Sequence, residues 1–469
     1  MNFKEKLTKY KFLSTASETA DELGVDVYIV GGFIRDLILN KEVEDIDFLV
    51  VGDVLKFTKS FANALGITDI VIYKNFGTAH FNHQGLNFEF VGARKESYNK
   101  SSRKPEVTEG SFYDDISRRD FTINTIAVSI LEGNFGEVID HFNGLRDIDQ
   151  KLIRTPLDPK ITFDDDPLRI LRAFRFASQL NFDVDKSILT SANELKDRLE
   201  IVSQERKTDE FLKILKSSQP SVGIKLLQES NVMEIIFPEI AQMIGVEQRE
   251  EYHHKDVFYH TCEVVDNISR KTENVWLRFA ALVHDIAKPK TKKFIEGTGW
   301  TFHGHEELGA RMMKSIFRRM KLPMNQLVYV EKLVRLHLRP IALVSDVVTD
   351  SAIRRLIVAA DEDLNDLITL CRADITSKNP DKVERYLQNY EIVVKKVLEV
   401  KEKDKLRAFQ SPVSGEVIMQ VCNLKPSKKV GEIKTAIEEA ILDGIIRNDY
   451  EEAYEYLLKI KDGYLRKND

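Results

Sequence analysis

Three runs of this chain carry residue types and spacings that suit chemistry. The first, VGGFIRDLILNKEVEDIDFLVVGD over residues 30–53, places Gly31-Gly32 after an apolar strand and Asp45-Ile46-Asp47 inside the next one. Glycine has no side chain to keep a backbone N–H away from an anion. A helix starting there adds unpaired donors and partial positive charge, which suits phosphate. In a strand, positions i and i+2 share a face, so Asp45 and Asp47 stand side by side while Ile46 faces a core. Adjacent carboxylates repel unless a cation lies between them, and hard oxygen ligands favour Mg²⁺. A glycine pair alone reads first as a tight turn, and one Asp as a solvated strand edge. Two carboxylates on one face of an apolar run fit that plainer account less well.

The second run is DISRRDFTINTIA, 115–127, with Arg118, Arg119, Asp120 and Asn124. Its rival reading is a charged helix start, with Asp120 as an N-cap and solvated arginines. FDDDPLRILRAFRFASQLNF, 163–182, sets Asp166 and Arg169 three apart, so that a helix would bring them to one face. Arg172 and Arg175 extend that face, either toward phosphate or toward solvent. The third run spans the middle of the chain: His260, His284-Asp285, His303 or His305, and Asp374, with His337 a weaker candidate. A lone histidine on an apolar helix is ordinary core, but a buried Asp beside one needs a cation or several donors.

These residues have to be positioned by two kinds of structure. Up to about 150, short β-branched runs (VDVYIVGG, DIDFLVVG, DIVIY, TAHFNHQGLNFEFVGA, VIDHF) alternate with helical stretches, which predicts an α+β head with a mixed sheet. Residues 94–120 are polar, with Ser, Gly and Pro, and read as one long mobile loop. From about 160 the strand signal ends and helical spacing takes over. The expected divisions are a head over 1–150, an all-α neck over 151–245, a second helical unit over 246–380 and a helical tail over 381–469.

A chain of 469 residues is too long for one core, and 43% hydrophobic with 31% charged residues describes a globular protein. Cys262, Cys371 and Cys422 are far apart, which suits a reducing cytoplasm and offers neither a disulfide framework nor a thiolate zinc site. A net charge of −6 neither announces nor excludes a nucleic-acid partner. No run of ~20 apolar residues or apolar leader is present, so no membrane association is expected.

Gly-Gly followed by Asp-x-Asp resembles the signature of the DNA-polymerase-β-like nucleotidyltransferases, with Arg35-Asp36 placed as in one branch. The resemblance implies that Gly31, Gly32 and Arg35 hold a nucleoside triphosphate and that catalytic Asp45 and Asp47 hold two Mg²⁺. Glu89 is either a third carboxylate or a plain strand residue. The 115–127 run resembles the Arg-Arg-Asp motif of the class II tRNA nucleotidyltransferase and bacterial poly(A) polymerase group. That implies Arg118 and Arg119 at the triphosphate and Asp120 and Asn124 at the ribose. Asp140, Gly144 and Asp147 resemble a further motif, at the junction with the neck. FDDDPLRILR resembles the Glu-Asp-x-x-Arg motif, with Asp165 in place of Glu. Asp166 and Arg169 would then read the edges of C and A, and Arg172 and Arg175 add nucleotide contacts. Carboxylate and guanidinium make such pairings with base edges generally.

The order His260, His284-Asp285, Asp374 resembles the HD-domain metal phosphohydrolases, with His305 as a further ligand or substrate contact. Imidazole with carboxylate suits Mn²⁺, Ni²⁺, Fe²⁺ or Mg²⁺. Lys425, Lys428 and Lys429 in the tail are either phosphate contacts or a solvated charge run. The implied activity is addition of CCA to tRNA from CTP and ATP, by attack of a 3′-hydroxyl on the α-phosphate, with a phosphohydrolase in the HD unit. The implied partner is the tRNA acceptor arm, and the protein a monomer or homodimer. A poly(A) polymerase, a partial CC- or A-adding enzyme, a primary HD phosphohydrolase and a non-catalytic RNA-binding protein are the alternatives.

Overall fold

The computed structural model describes residues 3–465 apart from 75–76, 98–105, 248–255, 298, 345–348, 378, 409–410 and 443–444. The head is built on strands β1 (Asp26–Val30), β2 (Asp45–Val51), β3 (Val71–Tyr73), β4 (Thr78–His83) and β5 (Leu86–Gly92). A side ribbon, β6 (Arg94–Ser97) with β7 (Glu106–Glu109), precedes β8 (Ala127–Ser129) and β9 (Val138–Ile139). Seven strands form one sheet in the order β3-β4-β5-β2-β1-β8-β9. β2 and β5 run parallel and the other neighbours antiparallel, a mixed sheet.

Alternation decides what each face does. Ile46, Phe48 and Val50 are fully buried on one side of β2, which leaves Asp45 and Asp47 on the other. On the buried side, Phe48 stacks on Phe90 at 4.9 Å between centroids, and Phe81 on Phe88 at 5.1 Å. Helices Phe12–Leu23 and Val54–Ala64 cover these rings through Phe12, Phe57 and Phe61. Burying each such ring contributes about 2–3 kcal/mol. The other face of β2 carries Asp45 and Asp47 at one end, with a second apolar cluster of Val30, Leu49, Ala93, Ile116 and Ala127 beyond them.

The run read as one long loop is partly regular. β6 and β7 pair antiparallel from Arg94↔Glu109 to Ser97↔Glu106, and Ser111 caps the helix Phe112–Ser117 through a capping box with Asp114. Polar side chains on both strands conceal the pairing from any hydrophobic pattern; residues 98–105 of that run lie outside the described residues. β8 is fully buried and only three residues long, too short to show a period of two. For the same reason the region read as purely helical holds the parallel pair β10 (Leu152–Ile153) and β11 (Asp183–Val184), and the hairpin β12 (Lys293–Ile295) with β13 (Gly299–Thr301).

Head and neck are joined at Asp140–Asp147. The Asp140 carboxylate accepts from Gly144 N (2.8 Å) and Leu145 N (2.9 Å). Buried Asp147 accepts from Thr122 Oγ1 (2.6 Å) and Arg154 Nη1 (3.1 Å). A Cβ on Gly144 would lie 2.2 Å from the Thr122 carbonyl oxygen, so only glycine allows this approach.

Two compact units result. One comprises residues 1–337 with 365–378, the other 338–364 with 379–469. The first contains the head, the neck helices and the bundle Val257–Ser269, Val275–Val283, His305–Arg319, Leu327–Leu336 and Leu364–Ala373. The second takes in the 29-residue helix Pro380–Ala408 and a core around Val413, Ile418, Ile433, Ile437 and Leu457. In it Lys425 and Lys428 are exposed, and Lys428 pairs with Glu432 one helical turn on.

Within the first unit, Arg278 links neck to bundle. Its fully buried guanidinium donates to the carbonyls of Leu215 (2.9 Å), Ser217 (3.0 Å), Ser269 (3.1 Å) and Thr272 (2.9 Å). These carbonyls lie at or just beyond helix ends, where backbone acceptors lack intrahelical partners. Replacing Arg278 with Ala strands several buried acceptors. The expected loss is about 3 kcal/mol or more, measured by urea denaturation of the two proteins.

Two candidate active sites

The first site lies at the end of β1. Gly31 has φ 75° and ψ −139°, a backbone conformation that other residues rarely adopt. A Cβ there would lie 2.7 Å from Asp47 Oδ2 and 3.2 Å from Arg119 Nη1. Gly31, Asp47 and Arg119 therefore meet only because the glycine has no side chain. Parallel register places Asp45 opposite Asn87 and Asp47 opposite Glu89. Asn87 Nδ2 bridges Asp45 Oδ1 and Glu89 Oε1, at 3.3 Å each. Asp45, Asp47 and Glu89 line a cavity of about 280 Å³ with Gly32, Arg35 and Asp36. Burial, with the carboxylates of Glu89 and Asp45, pushes the Asp47 carboxyl up to about 6 against the pull of Arg119. Three oxygen donors on one face with too little positive charge fit a hard divalent cation.

Salt bridges hold the surrounding arginines. Fully buried Asp115 accepts from Arg118 Nη2 and from Arg119 Nε and Nη2 (3.2 and 3.1 Å). Arg35 grips Asp36 through two bonds (2.9 and 2.7 Å) and donates to Asn124 Oδ1 (2.8 Å). Asn124 Nδ2 donates to Asp120 Oδ1 (2.9 Å), while Arg172 donates twice to Asp120 Oδ2 (2.9 and 2.6 Å). Burial opposes charge on Asp120, yet Arg172 outweighs it and holds the carboxyl down at about 2. Asp120 is thus no helix cap but the link between head and neck. Arg175 turns to Glu210 (2.6 Å) and Gln179 (2.9 Å). The Phe176 ring lies beneath three guanidiniums, those of Arg35 (5.0 Å), Arg172 (5.4 Å) and Arg175 (4.2 Å).

Asp166 and Arg169 are not on one continuous helix. The helix Pro159–Asp165 ends at Asp166, which is extended (φ −139°, ψ 101°), and a new helix spans Leu168–Leu180. Pro167 disfavours helical geometry in the residue before it, which forces the break. Asp166 Oδ1 accepts from Leu168 N (3.1 Å), and Arg169 lies one residue inside the new helix with Nη1 3.4 Å from the Thr162 carbonyl oxygen.

The second site gathers side chains from five bundle helices and their ends. His260 Nε2 is 2.8 Å from Asp374 Oδ1 and 3.6 Å from Asp285 Oδ2. His284 Nε2 is 3.2 Å from Asp285 Oδ2, and His305 Nε2 is 3.2 Å from Asp285 Oδ1. His337 joins them, 3.3 Å from His305 between Nε2 atoms, whereas His303 is exposed. The Nδ1 atoms of His284, His305 and His337 each lie 2.7 Å from a backbone carbonyl, of Ala281, Phe302 and Val334 respectively. A carbonyl only accepts, so each Nδ1 carries the proton and Nε2 is turned inward, the tautomer that ligates metals. His260 Nδ1 is tied to Thr376 Oγ1 at 2.9 Å.

Buried Asp285 Oδ2 is approached by Lys288 Nζ at 2.7 Å and by His284 Nε2 at 3.2 Å. Burial opposes charge on His284, but the carboxylates of Asp285 and Asp374 outweigh it and push its pKa up to about 10. Burial and the neighbouring His284 charge push His337 down to about 4. Ligand atoms of His260, His284 and Asp285 lie within 4.8 Å of one another, as do those of Asp285, His305 and His337. The two groups share Asp285, a donor set that fits divalent cations.

Four residues of these sites carry no strong sequence signal. Asp115 has only its spacing of three and four from the two arginines. Glu210 is 35 residues from Arg175. Phe176 meets Arg35 only in the fold. His337 follows an apolar helix, as many core histidines do.

Two outcomes follow. Asp47 has a folded pKa above its unfolded value, so stability is full below about 4 and falls as pH rises toward 6. Asp47→Asn should therefore melt higher than the parent at pH 8 in cation-free buffer, with the gap closing as pH is lowered to 4, followed by calorimetry. In an Asp47→Asn background, Mn²⁺ should raise the melting temperature, the stability gain being about 2.7 kcal/mol at a hundred times its dissociation constant, and His284→Ala should remove that increment.

Residues 27–154 match the poly A polymerase head domain family, 181–244 the family described as the probable RNA- and SrmB-binding site of polymerase A, and 257–379 the HD domain family. The A-adding tRNA nucleotidyltransferase of Aquifex aeolicus is 35% identical over 272 residues, 57% of this chain but 32% of that protein, so the chain spans about a third of its length. The A-adding tRNA nucleotidyltransferase of Deinococcus radiodurans is 32% identical over 336 residues, 70% of this chain and 74% of that protein. The multifunctional CCA protein of Shewanella frigidimarina is 32% identical over 308 residues, covering 63% and 70%. A solved CCA-adding enzyme in its second apo form has the same fold, with a TM-score of 0.62 at 23% identity over 98% of this chain and 99% of that one. Among the described residues no helix is long and apolar enough to cross a membrane. The mixed-sheet head, the helical neck, the HD bundle and these likenesses together place the chain in the tRNA nucleotidyltransferase and poly(A) polymerase family.

Proposed function

We propose that this chain is a template-independent, cytoplasmic nucleotidyltransferase that builds the CCA end of tRNA from CTP and ATP. The observation that carries the proposal is the glycine turn packed against Asp47, with Glu89 opposite in register and Arg119 beside both. Asp45 and Asp47 would hold Mg²⁺, which when bound neutralises triphosphate charge and acidifies the attacking 3′-hydroxyl. Gly31 and Gly32 leave room for phosphate oxygens. Asp115 holds Arg118 and Arg119 extended, so little side-chain freedom is lost when they donate to the triphosphate. The chain Arg35–Asn124–Asp120–Arg172 fixes polar groups where sugar and phosphate meet the neck. Asp166 and Arg169, on either side of the Pro167 break, offer an acceptor and a donor to the exocyclic amine and ring acceptors of C and A. The head over 1–150, the neck over 151–245 and the HD unit over 246–380 divide these tasks, with the tail contributing RNA contacts. The HD cluster His260, His284, Asp285 and Asp374, with His305, binds a divalent cation and hydrolyses phosphate esters at tRNA 3′ ends or on nucleotides.

The names of the Aquifex and Deinococcus relatives favour a second reading, an enzyme that adds only the terminal A. Incubating tRNAs that lack three, two or one of the terminal nucleotides with labelled CTP and ATP separates the two. Extension of all three to CCA is expected. Extension of only the last, with A, would establish A-addition; long A tails would establish a poly(A) polymerase. Asp47→Ala should reduce addition at least about 100-fold while leaving phosphate-ester hydrolysis unchanged.

A further inference from the structure

The nucleotidyltransferase chemistry makes no use of the hairpin that joins the two ligand-bearing halves of the HD cluster. Residues 288–302, KPKTKKFIEGTGWTF, contain four lysines against one acid, Glu296. In β12–β13 register, Phe294 lies opposite Trp300, their rings edge to face at 5.3 Å. Phe294 is 55% exposed, and Trp300 and Phe302 are half-buried beside it. Lys292 Nζ lies over the Trp300 ring at 4.3 Å, and Lys288 Nζ over Phe302 at 5.5 Å. Lys288 Nζ is in turn 2.7 Å from Asp285 Oδ2, and the Phe302 carbonyl orients His305. Rings and ammonium groups thus alternate from an exposed hairpin edge to the metal-ligating carboxylate.

Exposed aromatic faces interleaved with cations bind single-stranded nucleic acid, because every base has a face to stack and every linkage a charge to neutralise. We propose that the Phe294–Trp300–Phe302 edge is a binding surface for a single-stranded nucleic acid, leading its terminal phosphate past Lys292 and Lys288 to Asp285. The inference rests on the phosphohydrolase reading of the HD cluster and gives that site a substrate class, a polynucleotide 3′-phosphate rather than a free nucleotide. In the hydrolysis, water oxygen bonds to phosphorus, the bond from phosphorus to the 3′-oxygen breaks, and that oxygen takes a proton.

The chain has two tryptophans, and Trp276 sits among Phe279 and Phe317 in the bundle, so full-length Trp276→Phe leaves Trp300 as the sole reporter. Titration of that protein with a short single-stranded RNA bearing a 3′-phosphate should quench Trp300 saturably, and Lys292→Ala in the same background should weaken binding about tenfold. A nucleoside 3′-monophosphate at equal concentration should give no saturable quench. With Mn²⁺ present, phosphate release should favour the RNA over the mononucleotide by about tenfold in kcat/KM, and Trp300→Ala should lower only the RNA value. Absence of quenching, or equal kcat/KM for the two substrates, overturns the surface. Saturable quenching with no phosphate release from either substrate upholds the surface and refutes the hydrolase reading.

Discussion

A carboxylate taken out of water needs positive charge within a few ångströms, and this chain buries many of them. Asp115 is met by Arg118 and Arg119, Asp120 by Arg172, Asp147 by Arg154 and Glu210 by Arg175. These pairs are complete, and they fix the angle between sheet and neck and the direction of the arginines. At two places pairing is left short. Asp47 has Arg119 and Arg35 only in common with Asp115 and Asp36 while Asp45 and Glu89 crowd it, and Asp285 and Asp374 converge on His260 and His284 with Lys288 beside Asp285. Those are the two places where a divalent cation fits. The remaining architecture can be understood as the scaffold that keeps the complete pairs complete and the incomplete ones open.

Rigidity is distributed to match. β2 is central, buried on one face by stacked phenylalanines, so its acidic face cannot relax by moving the strand. The neck is held through hydrogen-bonded side chains that run from Arg35 to Arg172 and through one ring shared by three guanidiniums. The Phe121 ring meets Phe176 edge to face at 5.6 Å in the same junction. In the HD bundle the same role falls to backbone carbonyls, which orient three imidazoles without adding charge.

Much of the first site was legible because its logic is local. Asp45 and Asp47 share a face by the period of a strand, and Gly31 is marked as glycine by the turn it must make. Glu89 had no such mark; only parallel pairing of β2 with β5 brings it opposite Asp47. Asp166 and Arg169 were legible as a pair but not in their geometry, since Pro167 divides the helix that spacing alone would continue. The β6–β7 ribbon and β8 were missed because polar faces in one case and three-residue length in the other erase periodicity.

By itself, the sequence determined which residues could do chemistry and the order of the elements that carry them, because turn residues, alternation and helical spacing act over a few positions. Only the tertiary structure decided which charges are neutralised and which are left wanting. It brought His337 to the HD cluster and Glu210 to Arg175, set Phe176 beneath Arg35, and placed Asp115 behind both arginines. The physical reason is that a charge responds to whatever lies within a few ångströms in space, and the separation of those partners along the chain, up to 141 residues from Arg35 to Phe176, places no limit on that distance.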